Sequence, residues 1–354
     1  MQHRGNILVA VLNWGLGHAT RSIPIINALY EYGYTPIIAS DGAALLLLKK
    51  EFPRGVFVEL CAYQIRYSRR GGLLKFKMLG QLPKIWKAVN QEHRQTKDIV
   101  EQYQIKGIIS DNRFGVYHRK VPSVFLTHQL TIRFGIFTKM ATFVNRWFVN
   151  RFDQCWIPDY KGKNNFTGEL SKPIGYKKTP RYIGILSRWS YKEYTEQYDV
   201  LVLLSGPEPQ RSLLEEKLLK MLLHSDYKVV VVRGVVEEEQ TIVQQDKMSI
   251  YNYANTNQLR ELIGKSSLVI SRSGYTTIMD LAQMQKRALF VPTPGQTEQE
   301  YLADRLYRQQ IALCVTQDSL NMDSVQKAFE YEGFTGCGAV SDWQLLFEVF
   351  TQQK

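Results

Sequence analysis

Short apolar runs that alternate with amphipathic helical stretches constrain this chain more than any other feature. Residues 7–12 form a continuous apolar run, which is typical of a strand buried on both faces. Residues 22–32 then carry apolar side chains at helical spacing, with Ser22 at the expected N-cap and Pro24 in the first turn. Further strands are predicted at residues 36–40, 106–110, 123–127 and 155–158. Strands separated by helices indicate βαβ units and a parallel sheet.

A second series of the same kind follows a loop-like stretch at residues 161–181, which is rich in Lys, Gly, Asn and Pro. It contains a predicted helix at residues 209–224 and predicted strands at residues 199–204, 228–233, 268–271 and 288–291. The length of 354 residues suits two domains of roughly 150 residues each. The sequence therefore predicts an α/β protein with one domain at residues 1–178 and a second at residues 179–337.

Charge is distributed unevenly between the two halves. Residues 1–178 contain 27 Lys and Arg against 11 Asp and Glu, a net charge of +16, whereas residues 179–354 contain 18 against 22, a net charge of −4. This asymmetry indicates an anionic partner for the first half, such as nucleic acid, a membrane surface or an acidic acceptor. Solubility alone is the alternative explanation.

Several classes of protein are disfavoured by what the sequence lacks. No stretch reaches the ~18 apolar residues of a membrane span, and the run at residues 7–12 is interpreted as a strand rather than a signal peptide. The four cysteines form no C-x-x-C pair, and the six histidines show no metal-binding spacing. We therefore expect reduced thiols in a cytosolic protein and no metal site.

A glycine-rich segment at residues 13–21 follows the first predicted strand. Gly15 and Gly17 permit a tight turn and a close approach of the backbone to a ligand. His18 is predicted to lie on this loop, where an imidazole can act as a general base. The dinucleotide fingerprint G-x-G-x-x-G is incomplete, because Arg21 and Ser22 occupy the region of its third glycine. An ordinary polar loop residue is the alternative interpretation of His18.

A strand, a small-residue turn and a helix start are predicted at residues 268–281. The turn and the first helical residues supply hydroxyls and free amides where a diphosphate can bind. These residues are Ser273, Gly274, Thr276 and Thr277. Asp280 lies further inside the helix, where its carboxylate can accept hydrogen bonds from ribose hydroxyls. Ordinary capping by Ser and Thr is the alternative.

A Pro/Gly turn and another helix start are predicted at residues 291–303. Glu298 and Gln299 stand near the start of that helix, and carboxylate and amide groups suit sugar hydroxyls. A solvated first turn, in which the helix dipole favours Glu, is the alternative.

These three segments, in this order, resemble the GT-B glycosyltransferases, above all family 28 and its relatives in family 1. Residues 15–18 are similar to the family's glycine-rich acceptor-side loop, residues 271–280 to its S-R-A-G-x-x-T-x-x-E stretch, and residues 292–303 to its P-x-x-x-x-x-x-Q-x-x-x-A stretch. The nearest pattern is that of the members that add N-acetylglucosamine to the lipid-linked peptidoglycan precursor. The resemblance implies two Rossmann-like domains with parallel sheets facing across a cleft. It also implies a C-terminal helix at about residues 338–354 that packs back on the first domain.

The resemblance further implies that the second domain binds a nucleoside diphosphate sugar, with UDP as the expected nucleotide. The residues that would contact the donor are Ser205, Gly206 and residues 273–277, Tyr275 included, at the phosphates, Arg233 and Tyr253 at the base, and Glu298 and Gln299 at the sugar. The chain departs from the family pattern at two places. Asp280 replaces the Glu that holds the ribose, and residues 204–209 carry one Gly and two Pro where the family has a glycine-rich loop.

For catalysis, the resemblance implies a hexosyltransferase in which His18 deprotonates the acceptor hydroxyl for in-line displacement with inversion. Asp111, just after a predicted strand, would orient His18 as a carboxylate does in a catalytic triad. His128 is grouped with Gly15 and Gly17 on the acceptor side. No cofactor or metal is expected, because a helix dipole and hydroxyls would stabilise the leaving diphosphate.

Two segments of the first half are both basic and rich in large apolar residues. Residues 66–97 contain nine Lys and Arg against one acidic residue, Glu92, and residues 133–152 interleave aromatic with basic side chains. Such segments suit an anionic lipid surface, which predicts a peripheral position on the cytoplasmic face of the cell membrane and a lipid-linked or other anionic acceptor. In the alternative, the aromatic residues belong to the core.

Two other functions agree with part of the sequence. UDP-sugar 2-epimerases share the fold and the donor, but they need several carboxylates for proton abstraction, and the N-terminal loops offer Asp111 and few other acids. A nucleic-acid-binding protein agrees with the +16 charge, but the sequence shows no zinc-finger spacing, RNP motif or helix-turn-helix signal. No nucleic-acid partner is therefore expected.

Overall fold

The computed structural model describes residues 3–63, 82–133, 135–206, 208–235, 239–336 and 341–351. The described chain divides into two compact units. The first unit contains residues 3–63, 82–188 and 341–351, and the second contains residues 189–336. The chain leaves the first unit after Arg188, beyond the loop at residues 161–181, and returns to that unit for its last described residues.

The first unit is built on a parallel sheet that, within the described residues, has seven strands in the order β3-β2-β1-β4-β5-β6-β7. The strands are β1 Gly5–Val11, β2 Tyr34–Ser40, β3 Val56–Glu59, β4 Ile105–Asp111, β5 Ser123–Leu126, β6 Gln154–Ile157 and β7 Arg181–Tyr182. The central strands β1 and β4 are mostly buried because both of their faces are covered, and Leu8 and Ile108 are fully buried. The parallel α/β architecture predicted from the sequence is confirmed.

Helices of the first unit are α1 Leu16–Glu31, α2 Gly42–Glu51, α3 Leu82–Gln102 and α4 Thr138–Val149. The predicted start of α1 was wrong. Gly15 is the N-cap with φ of 86°, so the helix begins at Leu16, and Ser22 lies inside it and donates its hydroxyl to the His18 carbonyl at 2.9 Å. Pro24 also lies inside the helix rather than in its first turn. His18 therefore stands on the first turn of α1 and not on a loop.

The last described residues complete the core of the first unit. They form a short helix, Trp343–Phe347, and a 3₁₀ turn, Glu348–Phe350. The ring of Phe347 packs edge-on against Tyr34 at 5.8 Å between centroids. The ring of Phe350 lies over Gly107 of β4, where a Cβ atom would approach Cδ1 of that ring to 2.2 Å. Gly107 is thus required by the close approach of a side chain from the C-terminal segment.

The second unit repeats the architecture with the strand order β10-β11-β9-β8-β12-β13-β14. The strands are β8 Tyr198–Leu203, β9 Val229–Val232, β10 Ile242–Gln245, β11 Met248–Tyr251, β12 Ser266–Ser271, β13 Arg287–Phe290 and β14 Leu313–Cys314. The helices are α5 Gln210–Leu222, α6 Thr256–Gly264, α7 Tyr275–Gln283, α8 Thr297–Arg308 and α9 Met322–Ala328. The pairing is parallel except at β10 and β11, which form an antiparallel edge hairpin.

Candidate functional site

The two central strands of the first sheet bring the N-terminal motif and Asp111 together. Strand β1 lies between β2 and β4. The chain continues from β1 to β2 on one side and from β4 to β5 on the other side. Open α/β sheets bind ligands in the crevice that forms where the strand order reverses in this way. The register places Val11 opposite Asp111. Gly15, Gly17 and His18 follow β1, and Asp111 ends β4. The residues predicted to share this edge therefore do so.

His18 and Asp111 are in direct contact. The Nδ1 atom of His18 lies 2.9 Å from Oδ1 of Asp111, and their side chains are 13% and 1% exposed. A neutral imidazole that donates from Nδ1 to a carboxylate leaves its Nε2 lone pair to accept a proton. The pair has the geometry of a general base with an orienting carboxylate.

Arg21 is the central residue of this cluster, and it was not predicted as a site residue. Its Nε donates to Oδ2 of Asp111 at 2.8 Å, and its Nη2 contacts Oδ1 of the same carboxylate. Its Nη1 lies 3.0 Å from Nδ1 of His128, which places His128 in the same cluster. Residues three apart lie on the same face of a helix. Because α1 starts at Leu16, the spacing of His18 and Arg21 indicates that both side chains point to the same site.

The charges of this cluster set the protonation of the pair. Burial and the charge of Arg21 lower the pKa of His18 below 6.5, although Asp111 acts in the opposite direction. Burial would raise the pKa of Asp111, but the charges and hydrogen bonds of Arg21 and His18 outweigh it and hold that pKa well below its usual value. At neutral pH, His18 is neutral and Asp111 is ionised.

A second buried cluster supports the loop that carries Gly15. Arg113 is fully buried after β4, donates from Nη1 to Glu92 at 2.9 Å and contacts Asp41. Asn13 joins the glycine-rich loop to this cluster, because its Nδ2 donates to Asp41 at 3.1 Å and its Oδ1 accepts from the amide of Ala44 at 3.2 Å. Sequence reasoning missed this network, since its members lie far apart in the chain.

The second sheet offers an equivalent crevice between β8 and β12. Ser271 lies opposite Leu203 in the register. Ser205 and Gly206 follow β8, are exposed, and Gly206 has φ of +101° with no atom within 4 Å of where a Cβ would stand, among the described residues. Residues 272–277 follow β12. The two loops predicted to hold the diphosphate therefore leave neighbouring strands at the same edge.

Helix α7 begins at this edge without a side-chain cap. Gly274 is the N-cap, and no side-chain hydrogen bond caps this helix within the described residues. The positive end of a helix dipole favours an anion at such a position. Thr276 and Thr277 are partly exposed in the first turn, whereas Tyr275 is buried. Asp280 lies further along α7 and is 7% exposed.

Two of the predicted donor-binding side chains hold the loops of the second unit to each other. Ser273 is fully buried, and its hydroxyl donates to the carbonyl of Gln299 at 2.8 Å. The Oε1 atom of Gln299 accepts from the amide of Thr293 at 2.9 Å, and its Nε2 donates to Gln296 at 2.7 Å. Ser273 and Gln299 thus join the start of α7 to the turn before α8. Glu298 is partly exposed beside them.

Arg272 is a further buried residue that the predictions overlooked. The residue is 2% exposed, and its guanidinium donates to the carbonyls of Val291, Pro292 and Gln210 and to Oε1 of Gln317. Its Nε has no hydrogen-bond partner within the described residues. Burial lowers the pKa of Arg272 to about 10, which still leaves it charged at neutral pH. This positive charge lies immediately before the start of α7.

Arg233 and Tyr253 follow β9 and β11 at the same edge of the second sheet. The Nε of Arg233 contacts Glu215 of α5, which also accepts from Arg211 at 2.6 Å. The side chain of Arg233 is 42% exposed and is therefore oriented by Glu215 while still reaching solvent. The backbone around Tyr253 is fixed by Asn252, whose Oδ1 accepts from the Tyr253 amide at 2.9 Å.

The described part of the chain offers neither a metal-binding cluster nor a membrane-spanning helix. There, His, Cys, Asp and Glu form no group of three or more that could hold a metal ion. None of the described helices is long and apolar enough to cross a membrane.

Comparison with known proteins gives a consistent assignment. Residues 208–331 match the Glycosyltransferase family 28 C-terminal domain. The UDP-N-acetylglucosamine–N-acetylmuramyl-(pentapeptide) pyrophosphoryl-undecaprenol N-acetylglucosamine transferase of Prochlorococcus marinus is 27% identical over 175 residues, which cover 48% of this chain and 44% of that protein. An uncharacterized glycosyltransferase of Methanopyrus kandleri is 22% identical over 334 residues, 89% of this chain and 91% of that protein.

A solved structure extends the likeness to the whole fold. The kitacinnamycin glycotransferase superposes with a TM-score of 0.66 at 12% identity and covers 99% of this chain and 94% of that chain. Two Rossmann-like units with these strand orders are the GT-B architecture. The fold of the chain is therefore that of GT-B glycosyltransferases, and residues 208–331 match a family 28 glycosyltransferase C-terminal domain.

Proposed function

We propose that the protein transfers a sugar from a nucleoside diphosphate donor, UDP-linked, to an acceptor hydroxyl with inversion at the anomeric carbon, and that His18 is the general base. The observation that carries this proposal is the 2.9 Å contact between His18 Nδ1 and Asp111 Oδ1 at the carboxyl edge of the first sheet. The names of the Prochlorococcus and Methanopyrus relatives support the reaction class.

In this reaction the acceptor oxygen forms a bond to the anomeric carbon while the bond from that carbon to the diphosphate oxygen breaks. The acceptor proton passes to Nε2 of His18. The resulting imidazolium is stabilised by the carboxylate of Asp111, which its ion pair with Arg21 keeps ionised. The electron pair of the broken bond leaves with the nucleoside diphosphate.

The donor is proposed to bind at the carboxyl edge of the second sheet. Its diphosphate would meet the N-terminus of α7, the hydroxyls of Thr276 and Thr277 and the loop at Ser205 and Gly206. The buried charge of Arg272 next to this helix start favours the same anion. Helix amides, hydroxyls and this cation together supply the stabilisation that a metal ion provides elsewhere, so we propose a metal-independent reaction.

Three further contacts are proposed along the donor. Asp280 would accept hydrogen bonds from the ribose, and Arg233 with Tyr253 would flank the base. Glu298 would hold the sugar. The amide of Gln299 is already engaged in bracing the turn before α8, so its contribution to the sugar site is the shape of that turn.

An exposed aromatic patch supports a membrane-proximal acceptor. The patch consists of large apolar side chains on α4, on the 3₁₀ turn before it and on α3, all at least 40% exposed: Trp86, Ile136, Met140, Phe143, Val144 and Trp147. Basic residues border it, with Arg151 3.6 Å from the ring centroid of Trp147 and Arg146 5.3 Å from that of Phe143. Aromatic and basic side chains side by side suit an anionic lipid surface.

We therefore propose a cytoplasmic enzyme that lies peripherally on the membrane and takes a lipid-linked or other anionic acceptor. The name of the Prochlorococcus relative includes pyrophosphoryl-undecaprenol, a lipid-linked group, which supports this class. The alternative interpretation, in which the aromatic residues of residues 133–152 are core, holds for Phe148 and Phe152, which are buried. Residues 66–81 of the basic stretch and Phe134 lie outside the described residues.

The proposal is tested first by a thermal-shift screen of nucleotides and nucleotide sugars. A ligand at 100 times its Kd adds about 2.7 kcal/mol to the free energy of unfolding, which is easily measured. The donor found in this way is then incubated with candidate acceptors and, as a control, without any acceptor. Transfer to an acceptor supports the proposal, whereas epimerised sugar in the acceptor-free control would assign the protein to the 2-epimerases instead.

A further inference from the structure

The contacts of Arg21 determine where the protons of two histidines lie. A guanidinium only donates hydrogen bonds and an ionised carboxylate only accepts them. The Nη1 atom of Arg21 lies 3.0 Å from Nδ1 of His128, so that nitrogen must present a lone pair. The neutral imidazole of His128 then carries its proton on Nε2.

His18 faces the opposite demand. Its Nδ1 lies 2.9 Å from the carboxylate of Asp111, and a carboxylate oxygen requires a proton on that nitrogen. Nη2 of Arg21 also lies 2.9 Å from the same Nδ1, but it contacts Oδ1 of Asp111 more closely. Oδ1 therefore accepts from both Arg21 and His18, and the lone pair of His18 is left on Nε2.

We propose that Arg21 is a positioning residue that holds the two histidines of this site in complementary tautomers, His18 protonated on Nδ1 and His128 protonated on Nε2. His18 is then a proton acceptor at Nε2, and His128 carries its proton on its own Nε2. The role of His18 as a proton acceptor rests on the proposed function, whereas the tautomers themselves do not.

Each part of the cluster is fixed by a separate element. Arg21 and His18 lie on α1, Asp111 ends β4 and His128 follows β5; these are the charged and titratable groups that act on His18. Arg21 is 2% exposed and Asp111 is 1% exposed, so water competes little for these hydrogen bonds. A lysine at position 21 keeps the charge but has one nitrogen, which cannot reach Asp111 and His128 as the planar fork does.

The test is nitrogen NMR of the full chain with ¹⁵N-labelled histidine, because protonated and unprotonated ring nitrogens have well-separated shifts. His18→Gln and His128→Gln identify the two spectra among the six histidines. We expect the Nδ1–H form for His18 and the Nε2–H form for His128 at neutral pH. A His18 protonated on Nε2, or a His128 protonated on Nδ1, overturns the proposal.

Two variants test the part played by Arg21. In Arg21→Lys, we expect His128 to become a mixture of tautomers while His18 stays in the Nδ1–H form through Asp111. In Arg21→Met, the pKa of His18 read from the same spectra should rise by about one unit or more, because a neighbouring cation is removed. If both histidines keep their wild-type spectra and titrations in the two variants, Arg21 does not position them.

A matched control separates positioning from stability. Arg211→Lys changes a buried arginine of the second unit, whose partners include Glu208 and Glu215, and it should leave the two histidine spectra unchanged. Should Arg21→Met fail to fold, the wild-type and Arg21→Lys spectra still decide the question. The outcome is also independent of the proposed reaction. Full activity in His18→Ala would show that His18 is not the base, but the tautomers measured in the wild-type protein would still stand.

Discussion

Arg21 and Asp111 form a buried pair in which the Nε and Nη2 atoms of the arginine meet the two oxygens of the carboxylate, with His18 against the same Oδ1. The pair keeps the carboxylate ionised, and the same arginine helps to keep the imidazole neutral. A base that is already unprotonated at neutral pH, with its partner charge in place, needs little rearrangement when it accepts a proton.

Replacement of the base should therefore affect chemistry and not donor binding. In His18→Ala, we expect turnover to fall by about 10²–10⁴-fold while the Kd for the nucleotide stays within about twofold. Steady-state kinetics and a thermal-shift titration measure the two quantities. Full turnover in this variant would eliminate His18 as the base and direct attention to Asp111 and His128.

Loss of the carboxylate charge should be less severe. Asp111→Asn retains a group of the same size but no longer stabilises the imidazolium, so we expect a smaller loss of turnover than in His18→Ala. The double variant should be little worse than His18→Ala alone, because Asp111 acts through His18. Additive losses in the double variant would show that Asp111 has a separate role.

The pH profile should reflect the lowered pKa of His18. A general base works in its neutral form, so activity is lost as the pH falls through its pKa, and burial and Arg21 place that pKa below 6.5. We expect kcat/KM of the wild type to be constant near neutral pH and to decline only below about pH 6.5. An acid limb centred above pH 7 would contradict this arrangement of charges.

The donor site allows binding and stability to be separated by neighbouring substitutions. Thr276→Ala with Thr277→Ala should weaken UDP binding by ~1.5–3 kcal/mol for each contact to a charged phosphate that is lost. Ser273→Ala instead removes the hydrogen bond to the Gln299 carbonyl. We therefore expect the free energy of unfolding to fall by ~1 kcal/mol, seen as a lower melting temperature, and a smaller change in UDP affinity. Equal losses of UDP affinity in the two variants would return Ser273 to the phosphate site.

Metal independence is tested with the same ligand. We expect UDP to bind more tightly than ADP or GDP. We also expect UDP to bind equally well with EDTA, since the start of α7 and the buried charge of Arg272 lie at the carboxyl edge of the second sheet. Calorimetric titrations before and after chelation give the comparison. Abolition of UDP binding by EDTA would require an ion that the proposal omits.

The aromatic patch should bring the protein to anionic vesicles. Flotation is expected with vesicles that contain phosphatidylglycerol and not with neutral vesicles, and Ile136→Asp with Phe143→Asp should abolish it. Leu46→Asp is the matched control, because Leu46 is an equally exposed apolar residue of α2 outside the patch. Absence of flotation at low salt would contradict the membrane proposal and favour an acidic acceptor that is not bound to a membrane.

The sequence predicted the central strands well because each is a short apolar run, and the positions of His18 and Asp111 follow from where β1 and β4 end. It missed β3, β7, β10, β11 and β14. Strand β10 is exposed along its whole length, so it has no buried apolar run, and β7 and β14 have only two residues each. Edge strands of this kind are defined by their neighbours rather than by their own composition.

The sequence did not reveal which side chains of the site join two loops. Arg21 was treated as a departure from a glycine motif, because the helix start was placed at Ser22 and not after Gly15. Ser273 was assigned to phosphate because Ser is a typical anion ligand, but its hydroxyl is directed at the Gln299 carbonyl. In both cases the partner lies far along the chain, and only the folded structure identifies it.

The return of residues 341–351 to the first unit affects how this chain is made. The rings of Phe347 and Phe350 cover Tyr34 and Gly107, yet they leave the ribosome only after all of residues 189–336. Domains that are continuous in sequence can fold as they emerge, and the second unit is continuous. The first unit begins earlier but is completed only by residues 341–351. The nascent chain therefore carries an incomplete basic first unit while the second unit is being synthesised.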